Sequence, residues 1–308
     1  IMIKILFQEA DFYGASKLIF GDRSLPICYQ ATWMHGVSPV FWETVNCNLL
    51  IHNNERNLPI HLVNNEKTVK LLDNEDIKSI AVGMPYIYTK AHSENKRNKT
   101  LFRKVFMPSH SIFGNQELEY SKWRVIIKKY DCDAVCLGGD DYSNVINKKV
   151  NLGNVKIIKG AYSSDNSSLT RMSEMFYSSS EMITNVSGSH LAYAAASGVK
   201  VKIIDEIYEL FEERSRDNYA LKIANTVPKE SRKSFERHFS EQRVDKIVSK
   251  WNSKGSKEVE EYANYLLGTE HRKEPKIIAD YLTVNNKMKK IGIISHLLFN
   301  KISNKLGL

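Results

Sequence analysis

The sequence predicts a two-lobed α/β fold followed by a helical C-terminal segment. Three observations carry that expectation. Short apolar runs alternate with helical patterns through the first two-thirds of the chain, as stacked strand–helix–strand units require. A polar, basic stretch at 92–100, containing Glu94, Asn95, Lys96, Arg97, Asn98 and Lys99, interrupts the alternation and reads as a linker. Beyond Asp205 the short runs give way to longer helical patterns. At 308 residues the chain can hold two cores, since domains commonly run to ~100–200 residues. Its 42% apolar and 26% charged content excludes a disordered or fibrous protein.

The first lobe, 1–95, offers strands at 3–7, 27–32, 49–52, 60–63 and 79–82, with a helix around 67–72. Gly83, Met84 and Pro85 stop the last strand at a turn. The second lobe, 100–227, starts with a strand whose last residues, 105–107, precede Pro108. A helix at 118–130 places Leu118, Trp123, Ile126 and Ile127 on one face. Strands follow at 134–137 and 155–158, then a helix at 172–177 and a short strand at 182–185. A small-residue helix at 188–197 stops at Gly198, and a strand follows at 199–204. The segment 228–308 carries helical patterns at 229–251, 257–267 and 275–282, expected to pack back on the first lobe.

No apolar run approaches the ~20 residues that span a bilayer. Residues 1–7 are too short for a secretory apolar region and lead into Gln8, Glu9 and Asp11, so a cytoplasmic location is expected. Of Cys28, Cys47, Cys132 and Cys136, the last two have the spacing of neither a redox pair nor half a zinc site, and buried free thiols are expected. The formal charge of +9 implies an anionic partner: a nucleotide, nucleic acid or an acidic membrane face.

Ligands of open α/β sheets bind outside the carboxyl ends of the strands, so the turns that follow strands are the candidate sites. Ser187, Gly188, Ser189 and His190 stand between a strand and a helix, where free N–H groups and the helix dipole favour an anion. An ordinary serine cap fits the same letters. Ser109, His110 and Ser111 follow Pro108, and their hydroxyls and imidazole can serve a phosphate or a leaving group. This turn and the Ser-Gly-Ser-His turn are expected on the same edge of one sheet. His35, before Gly36, can face the cleft from the first lobe or be a structural histidine. Gly138, Gly139 and Asp140, with Asp141, form a close-approach turn whose carboxylates can take ribose or acceptor hydroxyls or cap a helix. Glu9 and Asp11 can supply a general base, and Tyr162 lies in a Ser- and Asp-rich loop able to touch a nucleoside or to stay mobile. No metal site is expected, because the aspartates lack supporting ligands at useful spacing.

With these residues in place the chain resembles bacterial GT-B glycosyltransferases of surface polysaccharide synthesis. The resemblance rests on two Rossmann-like blocks, the His-Gly turn of the first, Pro-Ser-His-Ser in the second, and the unit 183–204 around Ser-Gly-Ser-His, similar to enzymes of O-antigen and capsule clusters. It implies sugar transfer from a nucleotide-activated donor, CMP-sugar ahead of UDP-sugar with both open, to a bacterial glycan or lipid-linked glycan. It also implies that Ser109, Ser111, Gly138, Gly139, Asp140, Tyr162, Ser187, Gly188, Ser189 and His190 hold the donor. Glu9, Asp11, His35 and His110 would carry the catalysis. No metal and no cofactor beyond the donor substrate are implied. The serine-rich turns are similar to those that hold the phosphate of CMP-activated sialic acid or Kdo.

Residues 281–308 contain no acidic residue, and Met288, Ile291, Ile294, Leu298 and Ile302 step at helical intervals among lysines. Such a helix suits the inner face of an anionic membrane or docks on the protein with its lysines solvated. Two other functions fit. A CDP-polyol phosphotransferase keeps the fold and uses His35 and His110 for acid–base work. A non-catalytic nucleic-acid-binding protein would explain the charge and the 10% aromatics, but the positive residues are scattered and no aromatic–basic module is present, so nucleic acid is not expected as a partner.

Overall fold

In the computed structural model the described residues are 8–21, 26, 29–36, 58–94, 100–108, 116–186, 188–204, 249, 251–252, 256–283 and 294, with Glu9, 116–119 and Ser256 described by their backbone alone. They form an α/β protein with two parallel sheets. The strands expected at 3–7 and 49–52, most of the helix at 229–251 and nearly all of the basic tail lie outside them.

The smaller sheet has the order β1 (Ala31–Trp33), β2 (Ile60–Val63), β3 (Ser79–Ala81), paired from Ala31 opposite Ile60 and from His61 opposite Ser79. All of β1 is buried, as expected of a parallel strand covered on both faces. Helix α1 (Ala15–Phe20) precedes it. Helix α2 (Glu66–Asp73) joins β2 to β3; Asn65 caps it by accepting from Thr68 N–H at 3.1 Å, and Glu66 favours its positive end. Trp33, fully buried, donates its indole N–H to the Gly83 carbonyl at 2.9 Å and fixes the turn after β3.

The stretch expected to be a linker is structured at its start. Helix α3 (Lys90–Glu94) takes in its first residues, 92–94, where His92 packs its ring edge-on to Tyr86 and meets the Tyr177 hydroxyl at 3.2 Å. Polar letters hid an interior contact there.

The larger sheet has the order β6 (Lys156–Lys159), β5 (Ala134–Leu137), β4 (Phe102–Met107), β7 (Ser179–Thr184), β8 (Lys200–Ile203). Four helices connect it: α4 (Gln116–Tyr130), α5 (Gly139–Asn147), α6 (Ser168–Tyr177) and α7 (Ser189–Ala196). Strand β7 begins three residues earlier than its apolar letters suggest. Ser179 pairs opposite Phe102, and Glu181 reaches the Lys200 ammonium on β8 at 3.4 Å. Alternation along the strands divides the core. Phe106, Val135, Leu137 and Ile183 meet Trp123, Ile126 and Ile127 of α4 on one face. Val105, Ala134, Cys136 and Met182 join α6, α7 and the first sheet on the other, so one apolar core runs across both sheets. Cys132 and Cys136 are buried free thiols, and burial pushes them up to about 11 and about 12.

Helices α8 (Ser256–Leu267) and α9 (Pro275–Leu282) close the structure. Helix α8 packs on α7, while its last carbonyls accept from Asn64 Nδ2 (Leu266, 2.6 Å) and Met84 N–H (Leu267, 2.8 Å). Gly268 passes so close to Asn64 that a Cβ on it would stand 1.7 Å from the carbonyl oxygen. Helix α9 lies on α1 and β1, and Gln30 N–H donates to Leu282 O. Among the described residues no helix is long and apolar enough to cross a membrane.

Candidate functional site

Within its block the larger sheet has the spatial order third, second, first, fourth, fifth strand. The order reverses between β4 and β7, and in open α/β sheets the carboxyl ends of the strands at such a reversal are where ligands bind. Met107 and Thr184 are register partners at that point. Strands β4 and β7 thus end side by side. Ser109, His110, Ser111 and Ser187 lie outside the described residues.

Thr184 organises this edge. Its hydroxyl lies 2.7 Å from Met107 O, 3.2 Å from Val186 N and 3.1 Å from His190 Nε2. Gly188, in extended backbone, caps α7, and the His190 ring runs along it: a Cβ on Gly188 would stand 3.1 Å from Nδ1. Ser189 is the first residue of α7.

The loop that ends β1 faces this turn from the other sheet. A Cβ on Gly36 would stand 3.6 Å from Ser189 Oγ. The His35 carbonyl accepts from the Tyr193 hydroxyl at 3.2 Å, one helical turn beyond Ser189. The His35 ring packs edge-on to Phe12, with centroids 4.5 Å apart, and lies 5.7 Å from Tyr13. Tyr193 stacks on Tyr86 at 4.2 Å, and the Tyr86 hydroxyl meets Ser197 Oγ at 2.7 Å. Burial raises the phenols of Tyr193, Tyr86 and Tyr13, which keeps them neutral hydroxyls.

Further along the carboxyl edge, at β5, Gly138 caps α5 and Gly139 already belongs to that helix. Asp140 and the buried Asp141 therefore occupy its first turn, where carboxylates favour the dipole. The close approach that Gly139 permits is taken by Tyr162, whose ring would lie 2.6 Å from a Cβ there. Tyr162 remains 41% exposed above it. Its loop is braced by a carboxylate. Burial alone would raise Asp165, but bonds from the Ser167 hydroxyl and amide, Lys159 and Arg171 hold its carboxyl well below the usual range. Tyr13 N–H donates to Ser163 O at 2.8 Å, so the turn Glu9–Gly14 joins this loop to the His35 cluster.

No protein-family model and no curated protein matches the chain.

Asp11, one of the expected acid–base residues, lies at the base of α1. It is 2% exposed and accepts from Ser16 Oγ at 2.7 Å and Tyr29 Oη at 2.5 Å, an arrangement that ties α1 to the approach of β1. Glu9 is described by its backbone in the same turn. The structure thus gathers His35, Gly36, Gly188, Ser189 and His190 at one point and Gly138, Gly139, Asp140 and Tyr162 at a second. Thr184, Tyr193, Phe12 and Tyr13 were absent from the sequence-derived set. Tyr193 did leave a signal, as the one aromatic in a small-residue helix, four positions after Ser189. Among the described residues no three His, Cys, Asp or Glu side chains gather in a way that could hold a metal ion.

Proposed function

We propose that this protein is a GT-B-type glycosyltransferase that moves a sugar from a nucleotide-activated donor to a glycan acceptor. The donor lies over the carboxyl ends of β4 and β7, and the acceptor approaches from the side of His35. The observation that carries the proposal is the meeting of Ser189 and Gly36: the strand-order reversal of the larger sheet opens onto the loop that ends a strand of the smaller one. Ser189 and the α7 N–H groups offer neutral donors to a phosphate, and stabilising the departing phosphate is the main catalytic contribution. The resemblance in the turns after β4 and β7, together with the charge of +9, supports an anionic donor.

The test is a thermal-shift screen with CMP, UDP, GDP and CDP at millimolar concentration. Ligand at a hundred times its Kd stabilises by about 2.7 kcal/mol. CMP or UDP raises the Tm, and Ser189→Ala shrinks that shift when each protein is compared with its own Tm without nucleotide. A flat response to all four nucleotides ends the proposal.

A further inference from the structure

Two points of the carboxyl edge, the Ser189 turn and the ring of Tyr162, are joined by one continuous rim. From Tyr162 the chain passes to Ser163, whose carbonyl accepts from Tyr13 N–H at 2.8 Å. The Tyr13 ring lies 5.7 Å from that of His35, and the next residue, Gly36, is the one whose Cβ would face Ser189 Oγ at 3.6 Å. Across the sheet, the end of β5, over which Tyr162 lies, is two strands from the end of β7, about 10 Å at the usual strand spacing. A nucleoside phosphate reaches from one to the other. Tyr162 is held firmly at its end of the rim. Its ring covers Gly139 so closely that a Cβ there would stand 2.6 Å from Cδ2 and 2.7 Å from Cγ. Its N–H donates to Ser168 Oγ at 3.0 Å, and its carbonyl accepts from Ser168 Oγ at 3.1 Å and from Asp165 N–H at 3.0 Å. The residue is nevertheless 41% exposed, and of the large apolar side chains exposed among the described residues it is the one that follows a strand of the larger sheet. An aromatic ring fixed in advance in an open position takes a flat partner with little further loss of conformational freedom.

We propose that Tyr162 is the stacking platform for the base of a nucleotide whose phosphate lies at the Ser189 turn. The inference rests on the nucleotide site proposed above and orients the ligand within it: phosphate at β7, ribose along the edge, base at β5. Every base has a π-face, so stacking on this ring contributes affinity without choosing between cytosine and uracil. Tyr162 is a binding residue here and takes no part in the bond exchange.

Titration calorimetry with CMP and with UDP compares the wild type with Tyr162→Phe, which keeps the ring, and with Tyr162→Leu, which keeps a cover over Gly139 without one. Tyr162→Phe should bind both nucleotides as the wild type does. Tyr162→Leu should bind both more weakly, by about five- to a hundredfold and to the same extent for each. A second measurement on the wild type separates stacking from a general loosening of the loop. NMR spectra of protein labelled in its tyrosine rings, with the Tyr162 signals assigned by their loss in Tyr162→Phe, should show those signals moving upfield when CMP or UDP is added. They should stay in place with ribose 5-phosphate, which has the sugar and phosphate of CMP but no base. Nucleotide binding that leaves the Tyr162 signals unmoved, or that Tyr162→Leu tolerates undiminished, overturns the platform and leaves the phosphate site standing. Equal movement with ribose 5-phosphate also overturns it, because the ring would then report a shift of the loop and not a base. No binding of CMP or UDP to the wild type overturns the inference together with the nucleotide site on which it rests.

Discussion

Acid should weaken this protein through His92 in a way one substitution can isolate. The ring of His92, on α3, is held between Tyr86 and Tyr177, with its Nδ1 at 3.2 Å from the Tyr177 hydroxyl. Burial, and secondarily the Arg272 guanidinium, lower its pKa from 6.5 to about 4. In the unfolded chain His92 takes up a proton below pH 6.5; in the folded protein it refuses one until about pH 4. Its contribution to stability is therefore intact above pH 6.5, is lost as the pH falls towards 4, and changes no further below. The full difference corresponds to about 3 kcal/mol. Urea unfolding of the wild type and His92→Gln at pH 7.5, 5.5 and 4.5 measures it. The variant is less stable at neutral pH but should lose less on acidification, so the two profiles converge. Parallel profiles would refute the reasoning, because they would mean that the folded ring takes its proton as readily as the unfolded one.

Gly268→Ala should be severely destabilising, by more than about 3 kcal/mol, because its φ is +68° and the new Cβ would meet the Asn64 carbonyl. Gly21→Ala, with φ of +59°, ψ of −129° and open space around it, should carry the backbone cost alone, about 1–3 kcal/mol, and thermal unfolding of the pair separates steric from backbone cost. Asp165→Asn removes the ion pairs with Arg171 and Lys159, so it should cost about 1–3 kcal/mol and open 161–168 to limited proteolysis. That carboxylate contributes stability above its ordinary pKa of 3.8 and loses it only as the pH falls below, so the variant and the wild type should converge in strong acid. Gly36→Ala has room, its nearest neighbour being Ser189 Oγ at 3.6 Å, whereas Gly36→Leu should abolish the nucleotide-induced Tm shift with little change in the Tm without ligand.

Elements dominated by their own letters were the legible part. The strands at 60–63 and 134–137 and the helix at 275–282 appear where apolar runs and a leading proline place them. The spatial order of the larger sheet was not legible, because it depends on pairings between β4 and β7 across 70 or more residues. Asp11 shows the same limit inside one side chain. An aspartate following an apolar run does not announce Tyr29 and Ser16, which the fold brings onto it. Thr184 and Tyr193 sit inside a strand and a helix, where their letters carry no turn signal. The roles of both come from partners distant in sequence, Met107 and His35.

The attachment of α8 and α9 governs the order in which the molecule can assemble. Asn64 waits for Leu266, 202 positions later, and Gln30 for Asp280, 250 positions later. Contacts of such sequence separation are slow to form, because a long loop must close before they return any stabilisation. During synthesis the smaller sheet therefore stays open until residues 256–283 exist to cover it, and a nascent chain stalled before that point exposes apolar strands to chaperones or to its own copies.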